Sequence, residues 1–407
     1  MKMKKSRWLI LVLFLFVVCV PFFVGCNGCA GEAGVVQLQF LRPENSNTEW
    51  EVRVRFGTYA NGVVVLPSEH RGQPVTGIAS PGFRGATHFI AVTIPSSITR
   101  IATDAFRNTP NLTVIMQSTV PPSQDNSFAG LTANIIGVKA IIVPDSALET
   151  YKTEWSQYAS RIYPASMIVE ENFLINDDGY LVSFFGWQGQ VVVPASATST
   201  ASAAFTNNQS ITKITFHQNI KAIAPDGIKG TSELTNIAVS EANELFASVN
   251  GILYDKAKMN MLYIPSKLGG AVVIPEGFVP ITGTNQYNIN YHFSDAARAQ
   301  GYFSGTLITS ITFPTTYTNI FPEFLKDCSQ LTTVVLNQGL TRIGAHAFAN
   351  ASKLTTITIP STVTFIGADA FLGCNSLTIR VSLAENEVPE GWETNWHGGR
   401  PIVWNAT

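Results

Sequence analysis

The sequence predicts a β-rich solenoid: turns of about 23 residues, a parallel sheet along one face and aromatic caps at the ends. Three observations predict it. Residues 331–351 read LTTVVLNQGLTRIGAHAFANA and residues 354–374 read LTTITIPSTVTFIGADAFLGC, the same pattern 23 residues later. Four columns of residues hold that phase along most of the chain. Each unit also opens on a short alternating run of β-branched residues that stops at a proline-type position.

The columns define the elements in order. A Leu column holds Phe89, Leu112, Ile211, Leu234, Ile308, Leu331, Leu354 and Leu377. In LTTITI, Ile357 and Ile359 alternate inward with Thr358 outward, which is a half-buried strand. The next column (Pro95, Pro194, His217, Pro314, Asn337, Pro360) ends the strand, because proline brings no N–H to a ladder. Six residues on come Ile101, Thr200, Ile223, Ile320, Ile343 and Ile366; eleven on come Phe106, Phe205, Ile228, Leu325, Phe348 and Phe371. These return the chain along the far side, with Ala or Gly where backbones come close and Phe filling the interior. One such unit cannot bury its own apolar face, so units stack, pairing strands in parallel at about 4.8 Å per turn. Cys328 and Cys374 share one column with Ala351 between them, about 10 Å apart over two turns, too far for a disulfide. They are expected to be small buried residues equivalent to Ala.

Composition narrows the class. Only 13% of the 407 residues are charged, so Thr, Ser, Asn and Gln must supply much of the polar surface. The first 25 residues carry Lys2, Lys4, Lys5 and Arg7 and no anion; without them 22 cations face 28 anions, and no basic stripe exists to neutralise nucleic-acid phosphates. That segment has the order of a secretory signal: MKMKKSR, then WLILVLFLFVVCV, then PFFVGC. Phe23-Val24-Gly25-Cys26 resembles a bacterial lipobox, with Phe23 where Leu is usual, which implies that Cys26 is acylated and becomes the mature N-terminus. Its alternatives are an uncleaved anchor, since Trp8 to Val24 nearly crosses a bilayer, and plain secretion. Cys26 and Cys29 form a lone C-x-x-C without a second pair or a nearby His, which is no redox or zinc signature.

The repeat pattern resembles the 23-residue leucine-rich repeats of BspA-like bacterial surface proteins over most of residues 50–407. Subsidiary motifs match too. Residues 250–265, NGILYDKAKMNMLYIP, resemble that family's inserted hairpin, with Asp255 to Lys258 at the turn. Residues 171–195 resemble its module-opening hairpin, with Asp178-Gly179 as the turn signal, and residues 141–164 its module-ending segment. WETNWHGGRPIVW (392–404) resembles the family's Trp-rich end. Four segments are expected: a signal peptide (1–25), a tether (26–49), a first module (50–165) leaving through Tyr151, Trp155 and Tyr158, and a second module (166–407). Aromatics suit both exits, where an open solenoid end exposes apolar core and unpaired strand edges.

A search for chemistry finds none. His70, His88, His217, His292, His346 and His397 are scattered, and no metalloprotease, nucleophile-elbow, P-loop or dinucleotide motif occurs in its required context. Residues 175–179, INDDG, have the wrong ligand spacing for a calcium loop and read as a hairpin turn. No catalytic residue, metal or cofactor is expected. Two candidate binding features remain. The outward row Thr93, Thr215, Thr312, Val335 and Thr358, broken by Ala238, offers an uncharged face for a protein or glycan; equally, Thr is simply a good exposed β-residue. The interval from Pro275 to Pro314 is 39 residues, a repeat plus 16, and the excess at Thr282–Gly301 carries or adjoins Tyr287, Tyr291, His292, Phe293, Tyr302 and Phe303. Tyr with Asn and Ser suits a recognition loop, and equally suits an insertion packed onto its own solenoid. The lipobox-like end at Cys26 implies a lipid-anchored protein of the cell envelope, on the outer membrane or cell surface, and the repeats resemble those of bacterial surface proteins. The family resemblance implies adhesion to host matrix proteins or to other cells, with no nucleic-acid partner. Its rivals are an envelope assembly component without an external ligand and, more remotely, a solenoid enzyme.

Overall fold

In the stretch LTTITI the alternation read from the sequence becomes a strand with one dry and one wet face: Ile357 and Ile359 are buried, Thr356 and Thr358 exposed. The same rule repeats through the chain. The computed structural model describes residues 37–44, 46–55, 62–86, 89–124, 127–128, 137–257, 260–278 and 302–406.

The N-terminal turns build a five-stranded parallel sheet from Gly62–Val65, Phe89–Ile94, Thr109–Met116, Val138–Val143 and Ile162–Pro164. A second sheet runs in the order Leu38–Leu41, Trp50–Val54, Gln73–Ile78, Arg100–Ile101, Ser123–Gln124. Leu38–Leu41 lies within the segment expected as a tether (26–49) and pairs antiparallel with Trp50–Val54. Later turns repeat the plan. Long strands fall in the groups Gln190–Val192, Lys213–Phe216, Asn236–Val239; Gly269–Val273, Leu307–Thr312, Thr333–Val335; and Thr356–Ile359, Thr378–Val381, Ile402–Val403. Short strands Asn319–Ile320, Arg342–Ile343, Phe365–Ile366 and Gly391–Trp392 run beside them.

The columns are the core. Leu112, Leu234, Leu331 and Leu354 are fully buried, as are Ile320, Ile343 and Ile366. Phe83, Phe106 and Phe128 stack nearly parallel at 5.1 and 5.0 Å between ring centres, and Phe348 stacks on Phe371 at 5.1 Å. Such offset stacks follow from identical rings one strand spacing apart. Glycine sits where turns touch: a Cβ on Gly367 would lie 2.5 Å from the backbone nitrogen of Ala345.

Aromatic caps end the Phe stacks. In the segment after Val143 a single helical turn pair, Leu148–Glu154, brings Tyr151 and Trp155 over the core. Trp155 and Tyr158 both lie 5.3 Å from Phe128. Their polar tips are satisfied: Tyr151 Oη donates to Ser118 O at 3.0 Å and Trp155 Nε1 to Pro122 O at 3.3 Å. At the C-terminal end Trp396 stands edge-on to Phe371, and Trp392 Nε1 donates to Val363 O. The expected inserted hairpin, Ile252–Asp255 with Met261–Tyr263, gains a third antiparallel strand in Phe246–Val249 and forms a layer inside the solenoid. Phe246, Leu253 and Leu262 join the core on one side, and Ile252, Tyr254 and Met261 the core on the other.

Candidate binding face

The hairpin read as opening the second half does form, from Phe173–Ile175 and Tyr180–Phe184, and its turn explains INDDG. Asn176 Oδ1 accepts from the backbone N–H groups of Asp178 and Tyr180, and Gly179 takes a positive φ of 74°. Among the described residues no cluster of three or more His, Cys, Asp or Glu could hold a metal ion.

This hairpin is apolar on both faces. Phe173, Ile175, Leu181 and Phe184 point into its own solenoid core; Leu174, Val182 and Phe185 form a separate cluster with Ile90, Ala91, Ala140 and Ile142. The latter group belongs to the N-terminal long sheet, on the face turned away from its core. Thr113 and Ser183 share a buried hydroxyl–hydroxyl bond of 3.0 Å across the contact, and the Trp187 ring lies against Gly62. The hairpin therefore covers the outward face of the first sheet at Ala91, Thr113, Ala140 and Ile142, and leaves Val63 and Val65 of its first strand 44% and 68% exposed. Thr93 survives half-buried at its margin.

No such cover lies among the described residues on the later turns. Val273, Thr312 and Val335 lie in register across three neighbouring strands, and Thr358, Arg380 and Val403 across the next three. Val273, Val335 and Val403 are 54%, 48% and 43% exposed, well above the usual for valine. Thr358 and Arg380 are exposed and Thr312 is half-buried. Beyond the internal hairpin the row continues as Val192, Thr215 and Ala238. Neither outward column of these strands, from Gln190 to Val403, contains an aspartate or glutamate. Lys213 and Arg380 are its cations, and neither side chain has a hydrogen-bond or ion-pair partner among the described residues.

The residues expected from the sequence thus separate. Thr215, Thr312, Val335 and Thr358 share the open row, whereas Thr93 lies on the covered sheet. Tyr302 sits half-buried with its ring 5.2 Å from Phe324 and 6.4 Å from Phe278, and Phe303 is wholly buried. The rings of Phe278 and Tyr302 meet edge-on. Tyr287, Tyr291, His292 and Phe293 lie outside the described residues, as does Cys26. Two features were missed: the covering of the first sheet and the exposed Val273 and Val403 that extend the row on either side of Val335. A signal for the covering existed. Strands apolar on both faces are strands buried on both faces, and ENFLI…YLVSFF is such a hairpin. A shallow groove of about 360 Å³ beside Arg342, Phe365 and Glu393 is less promising, since Arg342 already stacks on Phe365 at 3.9 Å.

A parallel β-solenoid of 23-residue leucine-rich turns belongs to the class of repeat proteins whose stacked strands form extended surfaces. The sequence profile of the BspA type leucine rich repeat region matches six copies over residues 70–151, 187–269 and 284–378, and the chain belongs to that family. Similar solved structures include the pneumococcal vaccine antigen PcpA, with 16% identity over 91% of this chain and 86% of that one at a TM-score of 0.40. A leucine rich cell surface protein from Faecalibacterium prausnitzii gives 18% identity over 93% and 97%, TM-score 0.38. A leucine-rich repeat protein from Bacteroides ovatus gives 16% over 91% and 98%, TM-score 0.33. No curated protein sequence matches the chain. Among the described residues no helix is long and apolar enough to cross a membrane.

Proposed function

We propose that this chain is a lipid-anchored cell-surface binding protein that uses the row Val273, Thr312, Val335, Thr358, Arg380 and Val403 to adhere to host matrix proteins or other cells, without catalysis. The observation that carries this reading is the row itself: valines about half exposed, in register across neighbouring strands, on a face free of carboxylates. Exposed contiguous apolar surface costs solubility and marks sites of interaction. Two modules, about 50–165 and 166–407, divide the labour: the first spaces the second from the envelope, to which acylated Cys26 ties the tether.

The test uses cells that display the full chain. Adherence to immobilised matrix proteins and to other bacterial cells is expected to fall about tenfold or more in the Val335→Lys/Thr358→Lys double variant, since two desolvated cations cost the contact about 1.4 kcal/mol or more. Surface protease should remove the protein, and a fatty-acid analogue should label wild type but not Cys26→Ser. Adherence indifferent to the double variant, or protection from protease until lysis, would leave an envelope assembly component as the better reading.

A further inference from the structure

We infer that the open row of the later turns is a receptor for a β-hairpin of a partner protein, one that presents aliphatic or aromatic side chains with a hydroxyl among them and carries a carboxylate for Arg380. This rests on the binding function proposed above and names the chemistry of its partner.

The molecule itself shows what seats on such a face. The outward face of the N-terminal sheet is covered by a two-stranded hairpin that lays Leu174, Val182 and Phe185 on Ala91, Ala140 and Ile142. Ser183 meets Thr113 within that contact. Strand spacing and side-chain alternation are common to both faces, because both are built from parallel strands of the same 23-residue turn. The open row offers the same mixture of aliphatic carbons (Val273, Val335) and hydroxyls (Thr312, Thr358), over a length of about 24 Å for six strands. What differs is charge. Arg380 stands on the row without a partner among the described residues, and neither outward column supplies a carboxylate. An occupant that leaves Arg380 desolvated and unpaired loses affinity; one that brings an aspartate or glutamate gains a charge-assisted bond.

A second copy of this chain is the wrong occupant. Its apolar hairpin is already seated on its own first sheet. The other opening hairpin, Leu38–Leu41 with Trp50–Val54, shows Gln39 and Arg53 bonded to each other at 2.9 Å, with Arg55 following. The Glu51 beside them is already paired with Arg100, so docking this hairpin would bring arginines to Arg380 without a free acid.

The experiment titrates the full chain with cyclised hairpins of sequence 172–186 bearing Glu, Ser or Lys at position 183. Wild type should bind the Glu form about tenfold tighter than the Lys form. Arg380→Glu should reverse that order, and Val335→Lys should abolish binding of all three; both sites are exposed, and circular dichroism checks that the variants fold. Binding that ignores both substitutions would mark displacement of the seated hairpin from the first sheet and overturn the proposal. So would no binding of any hairpin, or self-association in sedimentation that Val335→Lys removes. Adherence lost in the Val335→Lys/Thr358→Lys cells while every hairpin fails would sink this inference alone; adherence unaffected there would sink the binding face itself.

Discussion

Three residues beyond each position of the Phe column sits a smaller side chain, Thr109, Asn208, Thr231, Cys328, Ala351 and Cys374, and Thr306 stands in the same relation to the buried Phe303. Volume explains why Cys and Ala interchange there, and the sequence shows that much; both thiols are free and fully buried. The structure adds that most of these side chains donate. Thr109, Thr231 and Thr306 hydroxyls bond the carbonyls three residues back, while Cys328 and Cys374 donate to Phe303 O and Phe348 O at 3.0 Å. Burial pushes both thiols up to about 11, so they keep the proton that makes the bond. Lys139 is the opposite case. It is buried with no carboxylate in ion-pair reach among the described residues, and desolvation pulls its ammonium down to about 7. Below pH 7 the folded and unfolded states both hold the proton and the burial cost is present in full. Between about 7 and 10.5 the folded state sheds its proton first, so stability rises with pH. Lys139→Met should therefore stabilise the protein by roughly 2 kcal/mol or more at pH 6 and by much less at pH 10, read from urea midpoints. Equal gains at both pH values would refute the assignment.

Two hairpins of like topology open the two stretches of solenoid and meet different neighbours. The first alternates an inward Val52 with Glu51, Arg53 and Gln39 on the other side, where Glu51 pairs with Arg100. The second replaces those polar positions with Leu174, Val182 and Phe185, because its outer face is covered by the first sheet. That difference is legible in the residues, yet no residue says which surface the second apolar face meets. Val182→Asp should undock this hairpin, since a carboxylate there has no counter-charge in its cluster, at a cost of about 3 kcal/mol. Amide exchange should speed up in strands Phe89–Ile94 and Val138–Val143, with new protease cleavage near Glu170-Glu171. Unchanged exchange in those strands would show that the contact does not hold the two stretches together.

Over the whole molecule, stability passes between neighbouring turns, and each free end needs a lid. Trp396 and Trp392, 4.8 Å apart and edge-on, close the C-terminal end over Phe371. Removing both as Trp392→Ala/Trp396→Ala should cost about 3–5 kcal/mol or more locally. Exchange should rise first in strands Thr378–Val381 and Thr356–Ile359 and leave the N-terminal sheet protected. Uniform loss of protection would show a single cooperative unit instead of a stack. The internal hairpin at 246–263 bears on the same question, since it contributes buried residues to the cores on both sides and so couples them.

The period, the strand alternation, the buried columns and the aromatic caps were determined by the sequence alone, because each is a local consequence of which residue types recur at which spacing. The outward row could likewise be read off by counting, but its meaning could not. Whether Thr93 faces solvent or a neighbouring hairpin depends on the contact between Ser183 and Thr113, 70 residues apart, which no repeat period encodes. Only the tertiary structure decided that one face of the solenoid is covered from within, while Val273, Val335 and Val403 lie on a row that no described residue covers. Burial by a distant segment depends on how turns are stacked and aimed in space, and identical turns can be covered in one place and open in another.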